Sequence, residues 1–327
     1  KVIIAPVLKI YRDMFSFKNM LKFYKDYKEA INIVDSINKD NKIHVIYSNT
    51  LAVLLGLFYA KKRKIKHVWH VHEIIVHPKL IANLFPKLLN RFADVIICNS
   101  SATKTNLVQR TPELEFKSVV IHNGIESNAT NFLIPSKLDF GFANNDVLVT
   151  LVGRISRLKG HKWLVNTFLE HLNEIENIKI LFVGSPVEGQ EYYLEEIKKI
   201  IADNSLNDKI KILPFTADLS PIWQITDIAI MPSTEAESFG LVAAEAMLFE
   251  KPVIASNHGG LTEIVINNET GFLVQPHNNV QLSEYILKLI FNADLRAKFG
   301  ENGRKRVLSE FTIEKNVSKI SKILKDI

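Results

Sequence analysis

Two glutamates separated by seven residues follow an apolar run in the C-terminal half of the chain. Glu237 and Glu245 come after Ile228–Met231, and Gly240 stands between them. A glycine there lets the backbone approach a ligand closely, and a helix beginning beside it would direct its first N–H groups and its positive dipole end at an anion. The pattern predicts a phosphate-binding turn, with Glu245 reaching a ribose and Glu237 facing the other end of the ligand. The alternative is an ordinary helix with two solvated carboxylates.

A pair of cations follows another apolar run. Val147–Val152 leads to Gly153 and Arg154, and Lys159 precedes a second helical pattern. The planar guanidinium of arginine and the point charge of lysine both suit a diphosphate, although a solvated basic loop has the same composition. Because open α/β sheets bind ligands at the carboxyl ends of their strands, the positions of both motifs favour one shared site.

A further candidate lies in the N-terminal half. If the segment from Val68 forms a strand, its successive side chains point to opposite faces, so that His70 and His72 share one face and Glu73 lies on the other. We interpret His70 as structural and His72, at the strand end, as the residue placed for chemistry. Because Glu73 points away from both histidines, the sequence predicts no metal site.

The elements that must position these residues alternate between β-branched runs and helical patterns. This alternation predicts two α/β domains in tandem, each with a parallel sheet and crossover helices. Residues 127–145 show no periodicity, so we place the domain boundary near residue 140. Residues 312–327 read as an amphipathic helix with Ile313, Val317, Ile320 and Leu324 on its apolar face. The predicted strands are His44–Tyr47, Val68–Val71, Val95–Cys98, Val119–Ile121, Val147–Val152, Ile180–Val183, Ile210–Leu213, Ile228–Met231 and Pro252–Ala255.

Composition narrows the class of protein. A chain of 327 residues, 47% hydrophobic and 23% charged, has room for two domains without disulfide cross-links. The single cysteine, Cys98, fits a reducing compartment and predicts a cytoplasmic location. No apolar run reaches the roughly 18 residues that span a bilayer. The start, residues 1–6, reads as a strand rather than a signal peptide.

Charge is unevenly distributed along the chain. Residues 1–110 contain 19 Lys and Arg against 7 Asp and Glu, whereas the rest contains 22 against 28. A basic half fits nucleic acid, anionic lipid or a phosphorylated ligand, and the lack of interleaved stacking aromatics argues against nucleic acid. The run Lys61–Lys66 and the amphipathic pattern over 78–92 favour a peripheral position on an anionic membrane. A solvated basic face over a core helix is the alternative.

With these motifs the sequence resembles the retaining glycosyltransferases of family 4, whose GT-B fold consists of two Rossmann-like α/β domains facing a central cleft. The resemblance covers most of the chain and extends to Asn123–Glu126, residues 251–263 and Glu269–Val274. It implies an acceptor-side domain at 1–140, a nucleotide-sugar-binding domain at 141–311, and a helix at 312–327 that packs back on the first domain. The family's opening strand and glycine-rich turn are missing, so we expect an incomplete N-terminal domain.

The resemblance also implies roles for single residues. By position, Arg154 and Lys159 would hold the donor diphosphate beside Gly153, and Glu245 would bind the ribose. Glu237 would contact the transferred sugar, and His72 would lie near that sugar and the acceptor. The remaining donor contacts would be the backbone amides of Phe239, Gly240, Leu241 and Val242, with Phe215 at the base, although Pro214 stands where the family usually has glycine.

The function that the resemblance implies is transfer of a hexose-type sugar from a UDP or GDP donor. Transfer would proceed with retention and without a metal or other cofactor. The acceptor would be a glycan or a lipid-linked sugar, as in bacterial surface polysaccharide synthesis. Two alternatives stay open, namely a non-catalytic nucleotide-sugar-binding subunit and a nucleotide-sugar epimerase of the same fold.

Overall fold

The computed structural model describes residues 2–9, 17–126 and 135–327, and it divides into two compact units. The first unit consists of Lys1–His122 and Val317–Ile327, and the second of Asn123–Asn316. The chain therefore passes between units at residue 122 rather than near 140, and returns to the first unit within its last helix. Of the segment expected to form the boundary, residues 127–134 lie outside the described residues.

The first unit contains one parallel sheet. Its four strands lie in the sequential order β1-β2-β3-β4, and β2 is buried on both faces from His67 to Val71, as expected of a strand covered on both sides. The elements are α1 (Phe17–Asp40), β1 (Val45–Asn49), α2 (Leu55–Arg63), β2 (Lys66–Val71), α3 (Lys79–Phe92), β3 (Val95–Cys98), α4 (Ser101–Val108) and β4 (Ser118–Val120).

The start of the first unit differs from the sequence prediction. Residues 2–7 form no strand, and Lys9 makes only an isolated bridge to Val53. Val2 and Ile4 are each 95% exposed. A β-branched run becomes a strand only where a neighbouring strand pairs with its backbone, and the described residues offer none here.

The second unit contains a six-stranded parallel sheet in the order β10-β9-β8-β5-β6-β7. Read from β7, this is the strand order of a dinucleotide-binding α/β fold, and the order reverses between β5 and β8. The strands are β5 (Val147–Val152), β6 (Ile178–Val183), β7 (Ile210–Leu213), β8 (Ile228–Met231), β9 (Val253–Ser256) and β10 (Gly271–Val274). The helices are α5 (His161–His171), α6 (Tyr192–Asp203), α7 (Ser220–Ile225), α8 (Leu241–Leu248), α9 (Leu261–Ile264), α10 (Asn279–Ile290) and α11 (Ala293–Glu310). Strand β10 is the one strand of this sheet that the sequence patterns did not predict.

Both faces of this sheet carry apolar cores. Successive residues of β5 alternate between them, because Val149 and Leu151 pack with α5 and α10 while Leu148 and Val152 pack with α8. Strands buried in this way read as continuous apolar runs, which is why their positions were predictable. The parallel α/β class and the tandem arrangement of two such sheets are confirmed.

The last helix, α12 (Ile313–Asp326), packs through a different face from the predicted one. Ile320, Ile323 and Ile327 contact the first-unit cluster around Val68 and Ile97. Three of the four residues predicted for the apolar face are instead exposed, namely Ile313, Val317 and Leu324. The isoleucines of this segment are spaced so that more than one combination of them would lie on a common helix face. Which of them packs is determined by the surface of the first-unit sheet. Among the described residues, no helix is both long and apolar enough to cross a membrane.

The core of the second unit generates a stability prediction. Phe168 on α5 is fully buried, whereas Phe291, just after α10, is 74% exposed. We expect Phe168→Ala to lower the free energy of unfolding by about 3–5 kcal/mol, because it removes buried surface and leaves a cavity. Phe291→Ala is the matched control and should change it by less than about 0.5 kcal/mol. Urea unfolding followed by circular dichroism measures both, and equal effects would contradict this description of the core.

Candidate functional site

Two loops meet where the strand order of the second unit reverses. One follows β5 and the other follows β8, so both leave the carboxyl edge of the sheet. The Thr234 N–H donates to the Leu158 carbonyl at 2.8 Å, which joins the loops. Gly160 has a φ of +75°, and a Cβ there would collide with the Pro232 carbonyl oxygen. Only glycine permits this approach.

Lys159 and Glu237 form an ion pair across the two loops. Lys159 Nζ lies 2.8 Å from Glu237 Oε1, and the side chains are 25% and 20% exposed. The aliphatic part of Lys159 crosses Gly153. The Ser233 hydroxyl donates to the same oxygen of Glu237 in a short hydrogen bond. The structure thus brings together three residues predicted from two separate motifs, Gly153, Lys159 and Glu237, and adds Ser233, which the sequence analysis did not single out.

The backbone around Glu237 is held from the opposite side by the segment after β9. The Gly260 N–H donates to the Glu237 carbonyl at 2.7 Å. Gly259 has a φ of +62°, and a Cβ there would lie 2.5 Å from that carbonyl oxygen. His258 Nε2 lies 2.9 Å from the Ser233 carbonyl oxygen. Because neither Gly259 nor Gly260 has a side chain, the backbone of the loop after β9 can pack directly against the backbone of the loop after β8 that carries Glu237.

Glu245 occupies a separate cavity on the other side of the start of α8. A cavity of about 430 Å³ is lined by Glu245 and Leu241, by Trp223 of α7 and by residues 217–220 and 124–126. Burial raises the pKa of the Glu245 carboxyl above its ordinary value of 4.5. A half-buried carboxylate beside an apolar wall can accept hydrogen bonds from neutral hydroxyls.

The start of α8 separates the two glutamates. Gly240 and Val242 line the recess of Lys159 and Glu237, whereas Leu241 lines the cavity of Glu245. Phe239, just before the helix, is buried against Phe311 with ring centroids 5.7 Å apart. The first turn of α8 therefore lies between the recess of Lys159 and Glu237 on one side and the larger half-apolar cavity of Glu245 on the other.

Two predicted donor contacts lie elsewhere. Arg154 is exposed at the carboxyl end of β5 and lines neither the recess nor the cavity. Phe215 is 72% exposed, with its N–H on Ser185 Oγ at 3.1 Å, and it does not line the cavity of Glu245. The segment just after it, Ala217–Ser220, does line that cavity, together with Trp223. In the sequence, the residue that could have indicated this part of the cavity was Trp223, the aromatic in the helix after the β7 loop.

His72 in the first unit is held as a neutral imidazole. It follows β2, and its Nε2 lies 2.5 Å from Asn49 Oδ1, at the end of β1. Because that oxygen accepts, Nε2 carries the proton and Nδ1 has the lone pair. Burial lowers the pKa of His72, which outweighs the opposite effect of the Glu73 charge. A neutral ring with a free acceptor nitrogen suits hydrogen bonding to a hydroxyl.

His70 and Glu73 have structural contacts. His70 Nδ1 lies 2.5 Å from the Tyr47 hydroxyl, and burial lowers the pKa of His70 to about 3. The Glu73 carboxylate accepts from the Leu51 N–H at 3.2 Å and from the Thr50 hydroxyl. Across residues 2–9, 17–126 and 135–327, no group of three or more metal-ligating side chains is arranged to hold a metal ion.

Two family models match most of the chain. The model of glycosyl transferases group 1 matches residues 136–306, and that of glycosyltransferase family 4 matches residues 6–128. The second match ends at residue 128 and the first begins at residue 136, so both limits lie a short way after the passage between the units at residue 122. The second match includes His72, and the first includes Lys159, Glu237 and Glu245.

Individual proteins resemble the chain over nearly its full length. A Staphylococcus aureus capsular polysaccharide biosynthesis glycosyltransferase, CapM, is 27% identical and matches over 94% of this chain and 81% of its own. An uncharacterized glycosyltransferase of Methanocaldococcus jannaschii is 28% identical, over 95% of this chain and 82% of its own. The crystal structure of Anabaena HepE in complex with UDP and glucose has a TM-score of 0.82 and 27% identity, covering 90% of this chain and 81% of that one.

The burial of Glu245 generates a pH prediction. Since the pKa of its carboxyl is raised by burial, the folded protein binds more protons than the unfolded chain above pH 4.5, and stability falls as pH rises through the folded-state pKa. Glu245→Gln removes the buried charge. We expect this variant to melt at a higher temperature than the parent at pH 7, with a difference that shrinks towards pH 4.

The control for this prediction is Glu188→Gln, because Glu188 is an exposed glutamate of the same unit. Differential scanning fluorimetry between pH 4 and pH 8 compares the three proteins. A melting temperature of Glu245→Gln that stayed at or below that of the parent at pH 7 would contradict the assignment of a desolvated carboxylate.

Proposed function

Since the chain belongs to the family of group 1 glycosyl transferases, we propose that it moves a hexose from a UDP or GDP donor to its acceptor with retention of configuration. Membership makes the protein a glycosyltransferase, and its fold class is GT-B. The complexes of HepE with UDP and with UDP-glucose support a nucleotide-sugar ligand. They favour UDP as the first nucleotide to test.

The observation that carries the proposal is the division of charge around the start of α8. On one side lies the ion pair of Lys159 and Glu237, and on the other Glu245 lies in a larger half-apolar cavity. A nucleotide sugar has the same division, with sugar and diphosphate at one end and ribose and base at the other. In the proposed pose Glu245 accepts from the ribose hydroxyls, the base lies towards Trp223, and the diphosphate meets the first turn of α8.

The chemistry follows from this placement. When the bond between the anomeric carbon and the diphosphate breaks, negative charge grows on the leaving phosphate and positive charge on the sugar ring. Lys159 and the amides at the start of α8 supply positive charge at the leaving group, and Arg154, exposed at the carboxyl end of β5, is proposed to reach the diphosphate from outside the recess. They would do so without a metal ion, so we propose that the enzyme has no cofactor besides its donor.

Glu237 and His72 are the two residues proposed to touch the reacting sugars. Glu237 orients the transferred sugar by accepting from its hydroxyls. We propose that it does not act as a nucleophile, and a glycosyl-enzyme intermediate trapped on Glu237 would refute this role. Retention would then arise from attack by the acceptor hydroxyl on the face that the phosphate leaves, with that phosphate taking the proton. His72, as a neutral ring, would hydrogen-bond the sugar or the acceptor.

The acceptor is proposed to be a glycan or a lipid-linked sugar of a surface polysaccharide, assembled on the cytoplasmic side of the membrane. The name of CapM, a capsular polysaccharide biosynthesis enzyme, supports this class. Helix α3 supports contact with a membrane, since Phe85 and Leu89 are buried while Leu80 and Leu84 are exposed, by 78% and 42%. Lys79 and Lys87 flank the two exposed leucines. Apolar side chains framed by lysines suit an anionic interface.

Donor binding is the first prediction of this proposal. We expect one of UDP-, GDP- or ADP-glucose to bind in isothermal titration, with the affinity lowered about tenfold by Arg154→Ala and by Glu245→Ala, because each loses a charge-assisted hydrogen bond. Matched controls are Arg157→Ala, in the same loop but paired with Glu235, and Glu188→Ala. Binding of none of a wider donor panel would refute the proposal. Binding followed by release of an epimerised donor, rather than transfer, would make the protein an epimerase.

Membrane contact is the second prediction. Sedimentation with phosphatidylglycerol vesicles should pull down the parent protein, and added salt or a change to phosphatidylcholine should release it. The double variant Leu80→Ser/Leu84→Ser should bind several-fold more weakly, because it removes the apolar part of the contact. Leu138→Ser/Leu308→Ser, which alters two exposed leucines of the second unit, is the control. Equal sedimentation of both double variants would exclude α3 as the contact.

A further inference from the structure

Lys159 is already engaged by a carboxylate of its own chain. Its ammonium lies 2.8 Å from Glu237 Oε1, and both side chains are three-quarters buried or more. The neighbouring pair between Arg157 and Glu235 joins the same two loops, but those side chains are 61% and 40% exposed. Because water screens exposed pairs much more than shielded ones, the pair of Lys159 and Glu237 is the stronger interaction.

Glu237 cannot withdraw easily from this position. The Ser233 hydroxyl donates to the same carboxylate oxygen, and the Gly260 N–H fixes the Glu237 carbonyl at 2.7 Å. The close approach of Gly259 to the Glu237 backbone holds the loop from below. A diphosphate that reached Lys159 would therefore place its negative charge beside a carboxylate that is anchored there.

We infer that Glu237 competes with the diphosphate for Lys159, and that the hydroxyls of the transferred sugar compensate for the lost ion pair. The inference rests on the proposed function and deepens it. A nucleotide sugar supplies hydroxyl groups that donate hydrogen bonds to Glu237, together with the phosphates that pair with Lys159. A nucleoside diphosphate brings the phosphates alone, so it must leave Glu237 without its cation and next to a second anion.

The consequence is a site that discriminates between its substrate and its product. Before transfer the donor satisfies both Lys159 and Glu237. After transfer the sugar has left with the acceptor, and the carboxylate again competes for Lys159 against the remaining diphosphate. Glu237 thus promotes release of the product nucleotide, in addition to orienting the sugar, by making an interaction that differs between the two bound states.

The experiment is isothermal titration of the full chain with UDP and GDP, and with the matching nucleotide sugars. Glu237→Gln keeps the size of the side chain and removes its charge. We expect this variant to bind the nucleoside diphosphate about fivefold more tightly than the parent, since the competing anion is gone, and to bind the nucleotide sugar no more tightly, since the sugar hydroxyls lose a charged acceptor. Glu235→Gln removes the same charge two residues away and should leave both affinities within about twofold.

The result that overturns the inference is a nucleoside diphosphate affinity that Glu237→Gln leaves unchanged or weakens while the parent binds both ligands. Tighter binding of the nucleoside diphosphate without tighter binding of the nucleotide sugar cannot come from a merely disordered loop, which would weaken both. If the parent binds neither nucleotide nor nucleotide sugar, the proposed function fails and this inference fails with it. Equal tightening by Glu235→Gln would assign the effect to general charge and would also overturn the role of Glu237.

Discussion

The site depends on the close approach of backbone segments at the carboxyl edge of the second sheet. Parallel pairing of β5 and β8 brings the loops after these strands to one edge, and glycine lets them touch. At Gly160 one loop lies against the Pro232 carbonyl, and at Gly259 a third loop lies against Glu237. With a Cβ at either position the loops would separate, and Lys159 could no longer reach Glu237. The ion pair, the recess and the start of α8 are therefore consequences of backbone contact more than of side-chain attraction.

That arrangement gives two carboxylates of one motif different environments. Glu237 lies beside an ammonium and a hydroxyl donor, whereas Glu245 lies in a half-apolar cavity with Trp223, and its pKa is raised by burial. In the first unit, His72 is likewise shaped by its surroundings, since burial lowers its pKa and Asn49 fixes its tautomer. Residues of the same type thus acquire distinct chemistry from burial and from their neighbours. The burial of the Glu245 carboxylate in particular lowers the folding stability at neutral pH.

Much of the fold could be predicted, because strands buried on both faces are continuous apolar runs. Val95–Cys98 and Val147–Val152 were located residue for residue. Helix α1 was not anticipated, although Phe23 and Tyr27, one turn apart, do pack their rings against Phe58. The predicted packing face of α12 was wrong for three of its four residues, because its isoleucines allow more than one apolar stripe. Phe215, expected at the base, does not line the cavity of Glu245, whereas the residues after it do. Such differences arise where local spacing leaves several solutions.

The sequence by itself determined the parallel α/β class, the two motifs at strand ends and the pairing of a cationic loop with two glutamates, because these follow from periodicity and from residue chemistry along the chain. Only the tertiary structure decided which groups share a pocket. It placed Lys159 with Glu237 and Ser233, gave Glu245 a separate cavity, left Arg154 at the surface and turned α12 onto Ile320 and Ile323. The physical reason is that contacts between residues far apart in the chain are set by strand order and by the shape of the buried core, neither of which is written in local spacing.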